Sequence, residues 1–302
     1  MVPARRATLL RAMGNFDADT HVTGAAGRYG AKLSQDWRVW GPAGGYVAAI
    51  AMRAAGMEAQ IKRPASFSGH FLRIGEFREV ELEVTPLQAG RRAESIHVVM
   101  RQDGRPLFQG ILRTAAASEG LEHNEVKMPA MPEPAGLKTW PEILPPDAAE
   151  RGPPYQFWDN VETRISDPER ALDEFERGQQ GLPKVARPPE WREWYRFVPQ
   201  ATFDDPFVDA GRLLLMMDVM AWPAASQPHP NAKFQAPNLD VVCWFHEPAN
   251  DSEFLLADYK SPAARDGLMN TGGRVWSGDG RLLATGGAQL LCVPIGAGVP
   301  AP

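Results

Sequence analysis

The stretch GPAGGYVAAIAMRAAG, residues 41–56, begins with a run that breaks any strand and ends on a glycine. Between them Tyr46–Gly56 is alanine-rich and closed by that glycine, the pattern of a helix and its stop. Upstream, Arg28–Leu33 and Trp37–Trp40 read as short strands. Downstream of Pro64 the period changes to that of strands. Ala65–Arg73, Glu79–Pro86, Ala93–Arg101 and Pro106–Ala115 are bounded by turn residues, with Asp103-Gly104 as a hairpin signal. One helix followed by an antiparallel meander predicts an α+β unit with the helix packed on one sheet face.

The same order returns in the second half. Asp103-Gly104-Arg105 and Asp279-Gly280-Arg281 stand 176 residues apart, each ahead of an apolar strand. Pro64…Phe71-Leu72-Arg73 and Pro237…Trp244-Phe245-His246 stand 173 apart, which makes Phe67 the counterpart of Asp240. A helix over Phe207–Trp222 answers Tyr46–Gly56, and strands follow at Asn238–His246, Phe254–Lys260, Gly273–Trp276 and Leu282–Cys292. Self-similarity at half the chain length indicates duplication of a helix-plus-sheet unit. Between the halves lie MPAMPEPAG and ILPPDAAERGPP, where proline removes donors and restricts its neighbours, so a linker or wrapping segment is expected. Phe157–Ile165 and the aromatic-rich Glu190–Val198 read as strands on either side of a charged insertion, about 167–189, with one short helix. The expected division is an N-terminal unit over 1–118, a linker over 119–154 and a C-terminal unit over 155–302.

With 44% hydrophobic and 23% charged residues in 302, the chain can bury a sizeable core. A net charge of -5 argues against a nucleic-acid partner, which calls for a basic face. Cys243 and Cys292 form neither a CxxC pair nor a disulfide framework and read as buried thiols. The start, MVPARRATLLRAMGNF, lacks the apolar stretch of a signal peptide, and the longest apolar runs are too short to span a membrane. A cytoplasmic protein without membrane contact is the expectation. The six histidines show no HxxxH or HExxH spacing, so no metal site is expected. There is no G-x-S-x-G elbow, Walker loop or strand-linked GxGxxG, which excludes the usual serine thioesterase architecture and leaves nucleotide and dinucleotide use without support.

VWGPAGGYVAAIAMRAA (39–55), HFLRIGE (70–76), QDGRPLF (102–108), LDVVCWFHEP (239–248) and DGRLLA (279–284), in this order, resemble the acyl-CoA thioesterases of the double-hotdog type, especially acyl-CoA thioesterase II. The resemblance implies two tandem hotdog units, each a curved antiparallel sheet wrapped around a long helix. It also implies acyl-CoA as substrate, no cofactor beyond the coenzyme A of that substrate, and a homodimer or higher homo-oligomer.

Asp240 lies in a run that is otherwise mostly apolar, so its carboxylate is expected to be partly desolvated unless something donates to it, and a group so placed can act as general base toward water. A cap on the turn after Pro237-Asn238 is the alternative. By resemblance Asp240 activates the hydrolytic water. The family also places a hydroxyl near Tyr259–Gly267, and Ser261 carries over to that role, although Pro262 beside it also suits a turn serine. The family's last-strand glutamine corresponds to Gln289. Ala288 stands in the expected register, so a bulge at Gly286-Gly287 is required to restore the side chain's direction. Gly44, Gly45 and Tyr46 start a helix whose free amides could hold the thioester carbonyl. Asp218, inside LLLMMDVM, needs a partner and reads as a structural hydrogen-bond anchor. Trp191, Trp194, Trp244 and Trp276 read as core or as an acyl tunnel, and His70 and His246 as near-equivalent strand positions. Two rivals stay open: a non-catalytic acyl-CoA-binding protein on the same fold, and a hotdog hydratase or dehydratase, whose His–Asp pair the helix start does not supply.

Overall fold

The computed structural model describes residues 13–151 and 155–295. In chain order its first part holds α1 (Phe16–Asp19), β1 (Thr23–Ala25), β2 (Arg28–Lys32), α2 (Gly44–Glu58), β3 (Pro64–Phe71), β4 (Glu79–Ala89), β5 (Ala93–Gln102) and β6 (Arg105–Ala115). The middle holds α3 (Trp140–Ile143), α4 (Pro146–Arg151), β7 (Val161–Arg164), α5 (Pro168–Gln179) and β8 (Glu190–Phe197). The last part holds α6 (Pro206–Val219), α7 (Ala221–Ser226), β9 (Phe234–Gln235), β10 (Asn238–Phe245), β11 (Phe254–Arg265), β12 (Leu268–Ser277), β13 (Leu282–Leu291) and β14 (Val293–Pro294). The β5–β6 turn is the one Asp103-Gly104 calls for, since both residues have positive φ, 50° and 72°.

Two expected strands are something else. Trp37–Trp40 is preceded by a 3₁₀ turn over Gln35–Trp37, which buries the Trp37 ring against Tyr46 at 5.4 Å between centroids. The first half of Phe157–Ile165 is likewise a 3₁₀ turn, Gln156–Asp159, and strand pairing starts at Val161. In both, a large aromatic side chain is placed by burial, which strand composition does not report.

Twelve strands form one antiparallel sheet in the order β1-β2-β4-β5-β6-β3-β10-β13-β12-β11-β8-β7. At its centre Ser68 faces Val242, with His70 opposite Asp240 and Ser66 opposite Trp244. A pseudo-two-fold through the Ser68–Val242 pair therefore relates the two sides of the sheet. Along β6 and β13 it keeps the 176-residue offset of the DGR repeats, pairing Leu112 with Ala288. Along β3 and β10 the offset is 174, because Pro64 occupies the place of Asn238 and not of Pro237. Both strands are irregular at that point, between Pro64 and Ser66 and between Asn238 and Asp240. The counterpart of Asp240 is thus Ser66 rather than Phe67, and that of His70 is Trp244 rather than His246.

The inner face of the sheet closes over α2 and α6, whose side chains are almost all buried. The helices run antiparallel: Gly45 at the start of α2 lies against Leu215, and Gly56 near its end lies against Phe207. A Cβ on Gly45 would fall 2.6 Å from the Leu215 Cα, and one on Gly56 2.5 Å from the Phe207 ring. Backbone cannot yield as a flexible side chain does, so Gly45→Ala is expected to cost about 1–3 kcal/mol of stability by overpacking. The check is the urea midpoint, which should fall with no change in slope.

The proline-rich segment wraps. Val126, Met128, Met131 and Leu137 pack on Trp194, Leu256 and Trp276 on the outer face of the C-terminal strands. The Trp194 indole N–H donates to the Pro132 carbonyl at 3.0 Å, and Lys138 bridges Ile165. Trp194 and Trp276 are therefore core under this strap, whereas Trp244 is half exposed on the outer face.

Candidate active site

Asp240 follows the irregular step in β10, and that step sets its direction. Asn238 pairs with Leu290, which is buried, and Val241 pairs with Ala288, also buried. Without an extra residue between them, Asn238 and Val241 would face opposite sides of the sheet; with Leu239 inserted both turn inward and Asp240 turns out. Gln289 is the cross-strand partner of Asp240, and its backbone N–H donates to Asp240 Oδ1 at 3.0 Å. The bulge expected at Gly286-Gly287 is absent: pairing from Asp240–Gln289 to Phe245–Ala284 is continuous. The irregularity that aligns Gln289 with Asp240 sits on β10 instead. Both side chains are half-buried, and His70 stands opposite Asp240 on its other side.

Asn238 turns inward and joins this strand to the helices. Its amide donates to the Asp218 carbonyl at 2.9 Å and to the Asp218 carboxylate. That carboxylate also accepts from Gly45 N–H at 2.6 Å. Asp218 is buried, and burial raises its pKa to about 6, with the Asn238 and Gly45 donors pulling the other way. The partner that Asp218 needs is thus the start of α2 together with Asn238.

The helix start is consequently less open than its sequence suggests. Gly45 N–H is engaged by Asp218, and Tyr46 is wholly buried, its hydroxyl donating to the Asp19 carbonyl at 2.8 Å and accepting from Ser34 N–H at 3.1 Å. Gly44 is half-buried beside Asp218 and Phe71, and a Cβ there would meet the Asp218 carboxylate at 2.9 Å.

Ser261 is buried in an interruption of the β11–β12 ladder between Lys260 and Ala263, a place where Pro262, lacking an N–H, is tolerated. Its hydroxyl donates to the Asn270 carbonyl at 2.8 Å. Asn270 is the cross-strand partner of Gln289, so Asn270, Gln289, Asp240 and His70 form one row across four strands. Ser261 lies three strands from Asp240, roughly 14 Å at the usual spacing of about 4.8 Å. The structure brings Asp240 and Gln289 together and sets Ser261 behind Asn270. The sequence gives no reason to place Asn238, Asn270 or His70 in the site; the register of β10, which shows them, depends on a bulge with no sequence signature of its own.

The sequence signature of the acyl-CoA thioesterase N-terminal domain matches residues 33–116, and that of the C-terminal domain matches residues 141–293. The chain belongs to the acyl-CoA thioesterase family. Its members are thioester hydrolases, the activity class expected from the five segments. Among solved structures it is similar to an acyl-CoA thioesterase II from Mycobacterium marinum, with 21% identity, TM-score 0.72 and coverage of 93% of this chain and 99% of that one. A thioesterase II described as putative from Thermobifida fusca gives 20%, 0.73, 93% and 98%. A hot dog fold protein from Alicyclobacillus acidocaldarius gives 18%, 0.74, 94% and 100%. At these identities the likeness is one of fold, and it assigns this acyl-CoA thioesterase a hotdog-type architecture built on the large antiparallel sheet.

Proposed function

We propose that this protein is a double-hotdog thioesterase that hydrolyses acyl-CoA through a water activated by Asp240. The observation that carries the reading is the Asp240–Gln289 pair: a half-buried carboxylate fixed by a backbone N–H, beside an amide side chain on the neighbouring strand. Asp240 takes a proton from water as its oxygen attacks the thioester carbonyl carbon. The tetrahedral intermediate then collapses, the C–S bond breaks, and coenzyme A leaves as a thiolate that needs little acid assistance. Gln289 orients the water, and Asn270 extends the polar row. Ser261 contributes indirectly, by holding the Asn270 backbone.

Tandem units are supported by the two-fold order of the sheet and by separate N- and C-terminal domain matches. No helix among the described residues is long and apolar enough to cross a membrane. The reading has the enzyme act in the cytoplasm on dissolved acyl-CoA, with no cofactor, as a homodimer or larger homo-oligomer. Exposed Trp244 and Ile111 on the outer face of the central strands support assembly. The test is thiol release from acyl-CoAs of graded chain length. Release that saturates with substrate is expected; saturable binding without release would make the chain a binding protein on this fold.

A further inference from the structure

The pseudo-two-fold gives the candidate active site a counterpart at the other end of the helix pair, where α6 begins and α2 ends. The counterparts of Asp240 and Asp218 there are not acids. Ser66 takes the place of Asp240, and the last turns of α2 hold Gly56 against Phe207, where α6 holds Asp218 against Gly44 and Gly45. In their stead is a cavity of about 310 Å³, within the size range of small-ligand sites. We propose that this cavity is a second, non-hydrolytic ligand site that binds a free carboxylic acid with an apolar tail.

The lining has the two parts such a ligand needs. Phe203, Ala210, Leu213 and Phe245 supply apolar wall, and Lys62 and Arg63 supply positive charge. Lys62 is held in place, its ammonium donating to the Gly56 carbonyl at 3.1 Å and lying 5.8 Å above the Phe207 ring centroid. Arg63 is exposed, and among the described residues no carboxylate pairs with it. Three carboxylates also border the cavity. Asp209 is bound by the Arg212 guanidinium and by Ala249 N–H at 2.8 Å, and Glu247 lies 3.6 Å from Arg281. Asp204 is exposed, and Lys62 also faces the buried Glu94, so Arg63 is the cation left without a carboxylate partner. A single negative head matches that balance, and a tail without polar atoms leaves no donor or acceptor unpaired inside.

The wall is built to persist. The buried Arg212 donates to the Ala249 carbonyl at 2.7 Å and to the Ser252 carbonyl at 3.1 Å, fixing the loop that follows Phe245 on the first turns of α6. A larger concavity of about 660 Å³ at the β4–β5 hairpin, with Arg91 and Arg92, has all its lining from that one hairpin and no apolar wall facing it. The inference does not depend on hydrolysis: the acid would bind whether or not Asp240 activates water.

The experiment is photo-crosslinking of the full chain with a decanoic acid analogue carrying a diazirine at its far end, mapped by mass spectrometry. Wild type, Arg63→Glu and Ala210→Trp are compared, each with and without free coenzyme A. Label is expected on the segments holding Phe203, Leu213 and Phe245. Arg63→Glu, a surface change, is expected to reduce it roughly tenfold, the worth of one charged hydrogen bond. Ala210→Trp fills the cavity and should abolish it, while acyl-CoA hydrolysis by Arg63→Glu stays at the wild-type rate. Label confined to the Asp240 end, label that Arg63→Glu leaves intact, or label displaced by coenzyme A would each overturn the proposal, the last by showing a phosphate site.

Discussion

Asp240→Asn is expected to lower acyl-CoA turnover by roughly 10²–10⁴-fold, the usual worth of a general base. Asparagine keeps an oxygen where Oδ1 accepts from Gln289 N–H, so the cross-strand bond that orients the group survives. It removes only the capacity to take a proton from water. Loss of turnover should therefore come with little change in the apparent affinity for substrate and no change in unfolding midpoint, since a loss confined to the chemical step points to an interaction made in the transition state. Gln289→Ala is a useful companion: the backbone donor remains, and only the amide side chain is lost. A folded Asp240→Asn enzyme with wild-type thiol release would remove Asp240 from the mechanism. The carboxylate bonded to the start of α2, Asp218, would then be the next candidate base.

Much of this arrangement could be read from residues alone. α2 announces itself by its glycine-bounded alanine run, and the β5–β6 hairpin by Asp103-Gly104, because each signal is local and has a single backbone solution. The two-fold order of the sheet was legible for the same reason, as the DGR turns recur at a fixed offset. What escaped was register. Pro64 and Pro237 look equivalent as letters, yet Pro64 lies inside its strand at the position of Asn238, which moves the counterpart of Asp240 by one residue, from Phe67 to Ser66, and to the other sheet face. The same limit applied at Gln289, where a bulge was expected on the glycine-rich strand and lies on β10. Bulges depend on what the neighbouring strand and the helix beneath require, here an inward Asn238 for Asp218. Ser261 is a related case. A hydroxyl in the right segment was visible, but its bond to the Asn270 carbonyl belongs to a ladder interruption three strands from Asp240.

Asp218 yields the other large effect, on stability. Its carboxyl pKa is raised from 3.8 to about 6 because the charged form is stripped of water between α2 and α6. A native state that holds its proton more tightly than the unfolded chain is favoured at low pH, so this contribution is complete below pH 3.8 and lost as the pH rises through 6. At 1.36 kcal/mol per unit the loss is about 3 kcal/mol. Asp218→Asn cannot titrate. The stability of wild type relative to Asp218→Asn is thus expected to fall by about that amount between pH 3 and pH 7, with most of the change inside this window. The absolute offset is a separate quantity, because the asparagine NH₂ meets either Gly45 N–H or the Asn238 amide and leaves one donor facing another. Urea midpoints of the two proteins across the window measure both. A difference that stays flat with pH would show that the Asp218 charge is as well solvated in the fold as in the unfolded chain. The two donors from Gly45 and Asn238 would then fully replace water, and Asp218 would join these elements at no electrostatic cost.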